Sequence, residues 1–249
     1  MICSAVRPGE GQTAGPSPRR DRGGASRPAP ASGGGARSSE AVTAVGHRIV
    51  CFGDSNTYGY DPRSYLGGRY PASVRWTALL GEAGWDLINE GENGRCIPRR
   101  RRDIDALVQA VRRAEAGTVV VMLGSNDLLQ RPVPSAEACA ERMERALTAL
   151  LEGASASCKV LLTAPPPMGP GTWVDDPGTR EESRRLAGCY EALARRLGIP
   201  FADAGLWDVE LSFDGVHFSE GGHRAFAEGM GKVLEGLVPP GTDRADVRR

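Results

Sequence analysis

The chain has 249 residues, of which 40% are hydrophobic and 25% charged, an ordinary balance for a globular protein of one large or two small domains. Its 31 basic residues match its 31 acidic ones, so no global field points to nucleic acid or a membrane surface. No apolar stretch approaches a membrane span, and the six cysteines show no C-x-x-C spacing of the zinc or thioredoxin-like kind.

Residues 1–46 are Gly, Pro, Ser, Ala and Arg with little else, and contain no Leu, Phe, Tyr or Trp. Such a segment cannot bury enough apolar surface to offset its ordering entropy, which predicts a disordered tail. Its six arginines face only Glu10, Asp21 and Glu40, so a basic arm for an acidic partner is the other reading. Met1 to Gly11 lacks the apolar core of a secretory signal, which leaves reduced thiols in the cytoplasm as the expectation.

A single domain is predicted over 47–238. Arg48 to Phe52 reads as the first strand, and Ala72 to Leu80 as a helix ended by Gly81 and Gly84. Trp85 to Asn89 reads as a second strand. Ile104, Leu107, Val108 and Val111 follow the spacing of an amphipathic helix. Thr118 to Leu123 is an unbroken apolar strand, followed by a helix over Ser135 to Glu152 with Ser135 as its cap. Cys158 to Thr163 is a strand stopped by Pro165, Pro166 and Pro167. A helix over Arg180 to Leu197, a short strand over Pro200 to Ala202 and a helix over Ser219 to Leu237 complete the domain. Residues 239–249 form a polar tail. Strands alternating with helices predict an α/β fold, with a parallel sheet covered on both faces.

In such sheets ligands bind beyond the carboxyl ends of the strands. Gly53-Asp54-Ser55, Asn93-Gly94-Arg95 and Gly124-Ser125-Asn126-Asp127 follow the first three strands, and Asp214-Gly215-Val216-His217 precedes the last helix. Alone, Gly-Asp-Ser reads first as a helix cap. Together the four segments hold the parts acyl transfer needs. Ser55 is a nucleophile that requires a base. His217 is that base, and Asp214, three residues before it, can orient the imidazole. The backbone amides of Ser55 and Gly94 and the Asn126 side chain are candidate oxyanion donors.

These blocks, with Val74-Arg75-Trp76 and Pro165-Pro166-Pro167, resemble the SGNH, or GDSL, hydrolase superfamily, and most of all its mycobacterial arylesterase and acyltransferase branch. The resemblance runs from Arg48 to about Gly236. It implies a three-layer α/β/α fold with a five-stranded parallel sheet in flavodoxin-like order. It also implies a Ser55–His217–Asp214 triad, an oxyanion hole of Ser55, Gly94 and Asn126, no cofactor and no metal. Gly91 competes with Gly94 for the second oxyanion position. The implied partner is a small ester, with hydrolysis and acyl transfer both open; self-association is open too.

Tyr58, Pro166, Met168, Trp173, Val216 and Phe218 flank these blocks and are candidate pocket residues, although Trp173 suits a loop anchor equally. Asp54 and Asp127 read as turn-holding acids, Arg95 as a loop anchor and Trp76 as core. The run Arg99 to Arg102 is either a clamp for an anionic substrate or a solvated face. Two other functions compete with the serine esterase. One is a metal-dependent phosphoesterase using Asp54, Asn126, Asp127, Asp214 and His217, and the other is a non-catalytic binding module on the same fold.

Overall fold

A computed structural model describes residues 47–64 and 66–238. Both segments read as tails, 1–46 and 239–249, lie outside the described residues. Five strands, β1 (Ile49–Gly53), β2 (Leu87–Gly91), β3 (Thr118–Met122), β4 (Lys159–Ala164) and β5 (Phe201–Asp203), form one sheet in the order β2-β1-β3-β4-β5. Every pairing is parallel. This is the flavodoxin-like order. The helices are α1 (Ser55–Tyr58), α2 (Trp76–Glu82), α3 (Arg101–Arg113), α4 (Ser125–Leu129), α5 (Ala136–Gly153), α6 (Pro177–Leu197) and α7 (Glu220–Leu237).

The strands are apolar because both faces are covered. Alternate residues of β1 and β3 enter two different cores. Val50, Phe52, Val119 and Val121 join Leu107 of α3, Met143 and Leu147 of α5 and Tyr190 of α6. Ile49, Cys51, Val120 and Met122 join Trp76 of α2 and Phe226, Met230 and Leu234 of α7. The i, i+4, i+8 spacing on α7 is one helix stripe turned inward. Each fully buried Leu, Ile or Phe contributes about 1.5–3 kcal/mol.

The expected helix at Ala72 starts later. Residues 72–74 form a turn after Pro71, α2 opens at Trp76, and Gly81 lies inside it. The second strand is likewise shifted to Leu87–Gly91, paired residue for residue with β1. The last long helices match their caps: Ser135 Oγ accepts from Ala138 N, and Ser219 Oγ from Gly222 N. Helix α6 begins three residues before Arg180, because Asp176 caps it and Pro177 fits its first position. Register aligns Gly53 with Gly91 and with Met122, so β1, β2 and β3 end together on one edge. The free thiols include Cys51 and Cys139 in the interior.

Candidate active site

On that edge, β1 delivers Ser55 through a turn closed by Asp54. The Asp54 carboxylate accepts from Asn56 N at 3.0 Å and is the N-cap of α1. The capping duty therefore falls on Asp54, and Ser55 is the first helical residue with its hydroxyl unengaged by the helix. The Ser55 amide, one of the unpaired donors at a helix start, has no acceptor among the described residues. Burial pushes the Asp54 carboxyl up to about 6, against the hydrogen bond from Asn56 and the charges of His217 and Arg95.

His217 comes from the turn that leads into α7. Its Nε2 lies 3.0 Å from Ser55 Oγ, and its Nδ1 lies 2.6 Å from Asp214 Oδ2. All three side chains are buried. The other Asp214 oxygen accepts from Val216 N at 2.9 Å and His217 N at 3.0 Å, so the carboxylate shapes its own turn. Burial raises the Asp214 carboxyl, but the hydrogen bonds from the His217 ring and amides outweigh it and hold the group below its usual range. Gly215 sits at φ +80°, where its neighbours would crowd a Cβ: Gly169 O lies 2.4 Å from that position.

One side chain joins the two turns. Asn56 Nδ2 donates to Val216 O at 3.1 Å, and Asn56 Oδ1 accepts from Phe218 N at 3.0 Å. The Asn56 carbonyl in turn accepts from Trp76 Nε1 at 3.0 Å. Asn56 stands beside the serine in the sequence, yet nothing in its spacing marks it, because its partners lie 160 and 162 residues away.

The loop after β2 carries both candidate glycines. Gly91 N donates to Asn89 Oδ1 at 2.9 Å, and a Cβ there would lie 2.1 Å from Tyr58 N. Gly91 is thus a packing residue under α1. Gly94 has φ +74° and open space around its Cβ position, and its amide has no acceptor among the described residues. Asn126, on α4, donates through Nδ2 to Arg95 O at 3.2 Å, which leaves its second N–H available. The short helix α4 after β3 was not anticipated by the sequence pattern. Arg95 anchors this loop: it donates to Gly53 O at 2.9 Å and to Glu90 O, pairs with Glu92 at 2.9 Å, and lies over the Phe52 ring.

Asp127 closes the arrangement from below. It is buried, accepts from Ile97 N at 2.8 Å, and pairs with Arg99 at 2.9 Å and Arg142 at 3.1 Å. The arginine run is therefore not one clamp. Arg99 turns inward to Asp127, whereas Arg101 and Arg102 pair with Asp105 and Asp103 on their own helix.

Of the pocket candidates, Trp173 packs edge-on against the His217 ring at 5.0 Å and remains 55% exposed. Its loop lies over the Asp214 turn through Gly169 N to Gly215 O at 3.0 Å and Trp173 N to Asp214 O at 3.2 Å. The Tyr58 ring sits under the Arg69 guanidinium at 4.4 Å, because Arg69 Nε also reaches the Tyr58 carbonyl. Tyr60, two residues on, takes the place against His217, at 4.6 Å. Phe218 is wholly buried against Phe226 and His223 in the α2–α7 core, where its isolated bridge to Leu211 holds it. Val216 and Met168 are buried in the opposite core. Pro166 is buried at the end of β4.

Among the described residues no three His, Cys, Asp or Glu side chains gather to hold a metal ion, and no helix is long and apolar enough to cross a membrane. The sheet order, the strand-end serine and the Asp-x-x-His turn meet in one family. The model of the GDSL-like lipase/acylhydrolase family matches residues 51–225. The chain belongs to this family.

Solved structures of SGNH-type esterases resemble it over most of the chain. The native aryl esterase of M. smegmatis is 28% identical, with a TM-score of 0.67 over 77% of this chain and 99% of that one. Est24, a carbohydrate acetylesterase from Sinorhizobium meliloti, is 27% identical, with a TM-score of 0.65 over 77% of this chain and all 100% of Est24. A protein from Agrobacterium tumefaciens str. C58 assigned as an arylesterase is 31% identical, with a TM-score of 0.66 over 77% of this chain and 99% of that one. No curated protein sequence gives a significant match. The fold expected from the family resemblance is the fold observed, and the chain is a GDSL-type serine hydrolase.

Proposed function

We propose that this hydrolase cleaves small carboxylic esters through an acyl-Ser55 intermediate. The observation that carries the reading is the continuous chain from Ser55 Oγ to His217 Nε2 at 3.0 Å and from His217 Nδ1 to Asp214 Oδ2 at 2.6 Å. With Nδ1–H donated to the carboxylate, Nε2 is left as an acceptor for the Ser55 proton. Ser55 Oγ attacks the ester carbonyl as His217 takes that proton. The oxyanion is held by the Ser55 and Gly94 amides and the free N–H of Asn126, each donor contributing about 3 kcal/mol to the barrier. Collapse expels the alcohol, which takes the proton from His217. Water enters by the same route in reverse and releases the acid, while an alcohol in its place gives acyl transfer. Trp173 and Tyr60 against His217 limit how much water reaches the acyl-enzyme. The arylesterase and acetylesterase likenesses favour short acyl groups.

The test is hydrolysis of 4-nitrophenyl acetate by wild type and Ser55→Ala. Loss of turnover by about a thousandfold or more is expected in the variant. Near-normal turnover in a folded Ser55→Ala protein overturns the mechanism.

A further inference from the structure

Beside the Gly94 loop lies a groove of about 630 Å³, lined by Arg95, Arg99, Arg100, Arg102, Arg113 and Arg131. That volume falls within the range of small-molecule sites. Cys96 and Gln130 also line it, and Gln130 Nε2 lies 3.4 Å from Gly94 O, so the groove borders the oxyanion loop directly. Three acids share the lining: Glu90, Glu92 and Asp103. Two of them are already engaged, Glu92 with Arg95 at 2.9 Å and Asp103 with Arg102 at 3.3 Å. Arg99 is likewise engaged by Asp127. Arg100, Arg113 and Arg131 form no side-chain ion pair or hydrogen bond among the described residues, and of the acids only Glu90 is left to face them.

Three exposed guanidinium groups without acidic partners among the described residues line one groove, and an anion seated in it is attracted by those it lies nearest. Their planar forks suit phosphate oxygens. The cation supply comes from three separate segments: Arg100 before α3, Arg113 at its end, and Arg131 after α4. Arg131 also lines a second, smaller groove of about 240 Å³ together with Trp173, the residue packed on His217. Arg131 thus stands between the basic groove and the aromatic side of the catalytic centre. Ser55 and His217 do not line the groove, which borders the Gly94 loop instead, so a charge held there sits away from the scissile carbonyl and is placed on the alcohol part of the ester.

We propose that the groove is a subsite for a phosphate carried on the alcohol part of the substrate, so that the preferred substrates are acyl esters of phosphorylated alcohols or sugars. This rests on the Ser55 esterase reading and narrows its substrate class. The experiment compares kcat/KM for acetylglycerol phosphate and for acetylglycerol, in wild type and in Arg100→Gln/Arg131→Gln, with inorganic pyrophosphate as an inhibitor of both reactions. Wild type is expected to prefer the phosphorylated ester at least tenfold. In the double variant that ratio falls toward one, and pyrophosphate inhibition weakens in parallel. Circular dichroism and fluorophosphonate labelling of Ser55 establish that the variant is folded and its serine reactive. A wild-type ratio near one overturns the proposal, even with pyrophosphate bound, since the groove then holds an ion unrelated to the reaction. A ratio unchanged in the folded double variant overturns it too. Failure of the esterase reading is a separate result: neither ester, nor 4-nitrophenyl acetate, is then hydrolysed through Ser55.

Discussion

The Asp127 carboxylate accepts a hydrogen bond from the Ile97 amide at 2.8 Å, and so ties the loop of Gly94 to the helix of Asn126. The two proposed side-loop oxyanion donors thus share one anchor, itself held by Arg99 and Arg142. Asp127→Asn keeps the size but removes the charge opposite the buried Arg142. Breaking a buried pair from one side costs about 3 kcal/mol or more. A donor displaced by about 1 Å costs about a hundredfold in rate. The expected result is a lower melting temperature and a lower kcat on 4-nitrophenyl acetate, with KM moving little. An unchanged kcat in the folded variant would detach the anchor from catalysis.

Gly91 and Gly94 separate by their tolerance of a methyl group. Gly91→Ala drives a Cβ to within 2.1 Å of the Tyr58 amide, a backbone atom that cannot yield cheaply. Overpacking of this kind costs about 1–3 kcal/mol and moves α1, which carries Ser55. Gly94→Ala meets no atom, only the strain of φ +74°, about 1–2 kcal/mol. Activity should survive Gly94→Ala better than Gly91→Ala, measured as kcat at matched fractions folded. The reverse ranking would move the loop donor to Gly91.

Asp54 makes stability depend on pH. Its folded-state value of about 6 lies above its usual 3.8. An acid raised in this way contributes stability fully below 3.8 and loses it as pH rises through about 6. The difference corresponds to about 3 kcal/mol. Asp54→Asn can still accept from Asn56 N and carries no charge. Its stability relative to wild type should rise by up to that amount between pH 4 and pH 8, read from urea unfolding at each pH. A difference that stays flat across this window refutes the buried-carboxylate account.

Trp173 and Tyr60 should matter to substrate and Tyr58 to the scaffold. Aromatic contacts of this kind contribute about 1 kcal/mol beyond burial. Trp173→Ala and Tyr60→Ala are each expected to raise KM for aryl esters about fivefold. Tyr58→Ala is expected to leave KM alone and to lower the melting temperature through its lost Arg69 contact. Equal KM effects from Tyr58 and Tyr60 would contradict the assignment of Tyr60 to the site.

What the sequence displayed and what it hid have physical reasons. Strand β3 is a run of buried valines that no exposed element could carry, and Ser135 and Ser219 announce their helices by the hydrogen bonds they accept. The proposed roles of Ser55, Asn126, Asp214 and His217 are legible in the sequence because acyl transfer needs such side chains at strand ends. The sequence points to Tyr58 and not to Tyr60, because the difference depends on which ring Arg69 captures, a contact that no spacing encodes. The run Arg99 to Arg102 looked like one feature because it is continuous in the chain. A helix start divides it: Arg99 and Arg100 precede α3, Arg99 pairs with the buried Asp127, and Arg101 and Arg102 pair with acids of their own helix. Phe218 stands next to His217 in the chain, yet its ring packs on Phe226 and His223 in the core, a direction that a bend without strand periodicity does not announce.

The Asn56 carboxamide has a consequence for how this protein tolerates change. Ser55 and His217 lie 162 residues apart, yet one side chain grips the backbone on both sides of His217. Their separation is therefore fixed locally, as in a two-pronged fastener, and is insulated from small shifts of the sheet or of α7. Surface loops and helix faces can drift in sequence without misaligning Ser55 and His217, whereas replacing Asn56 alone would unfasten the serine turn from the His217 turn.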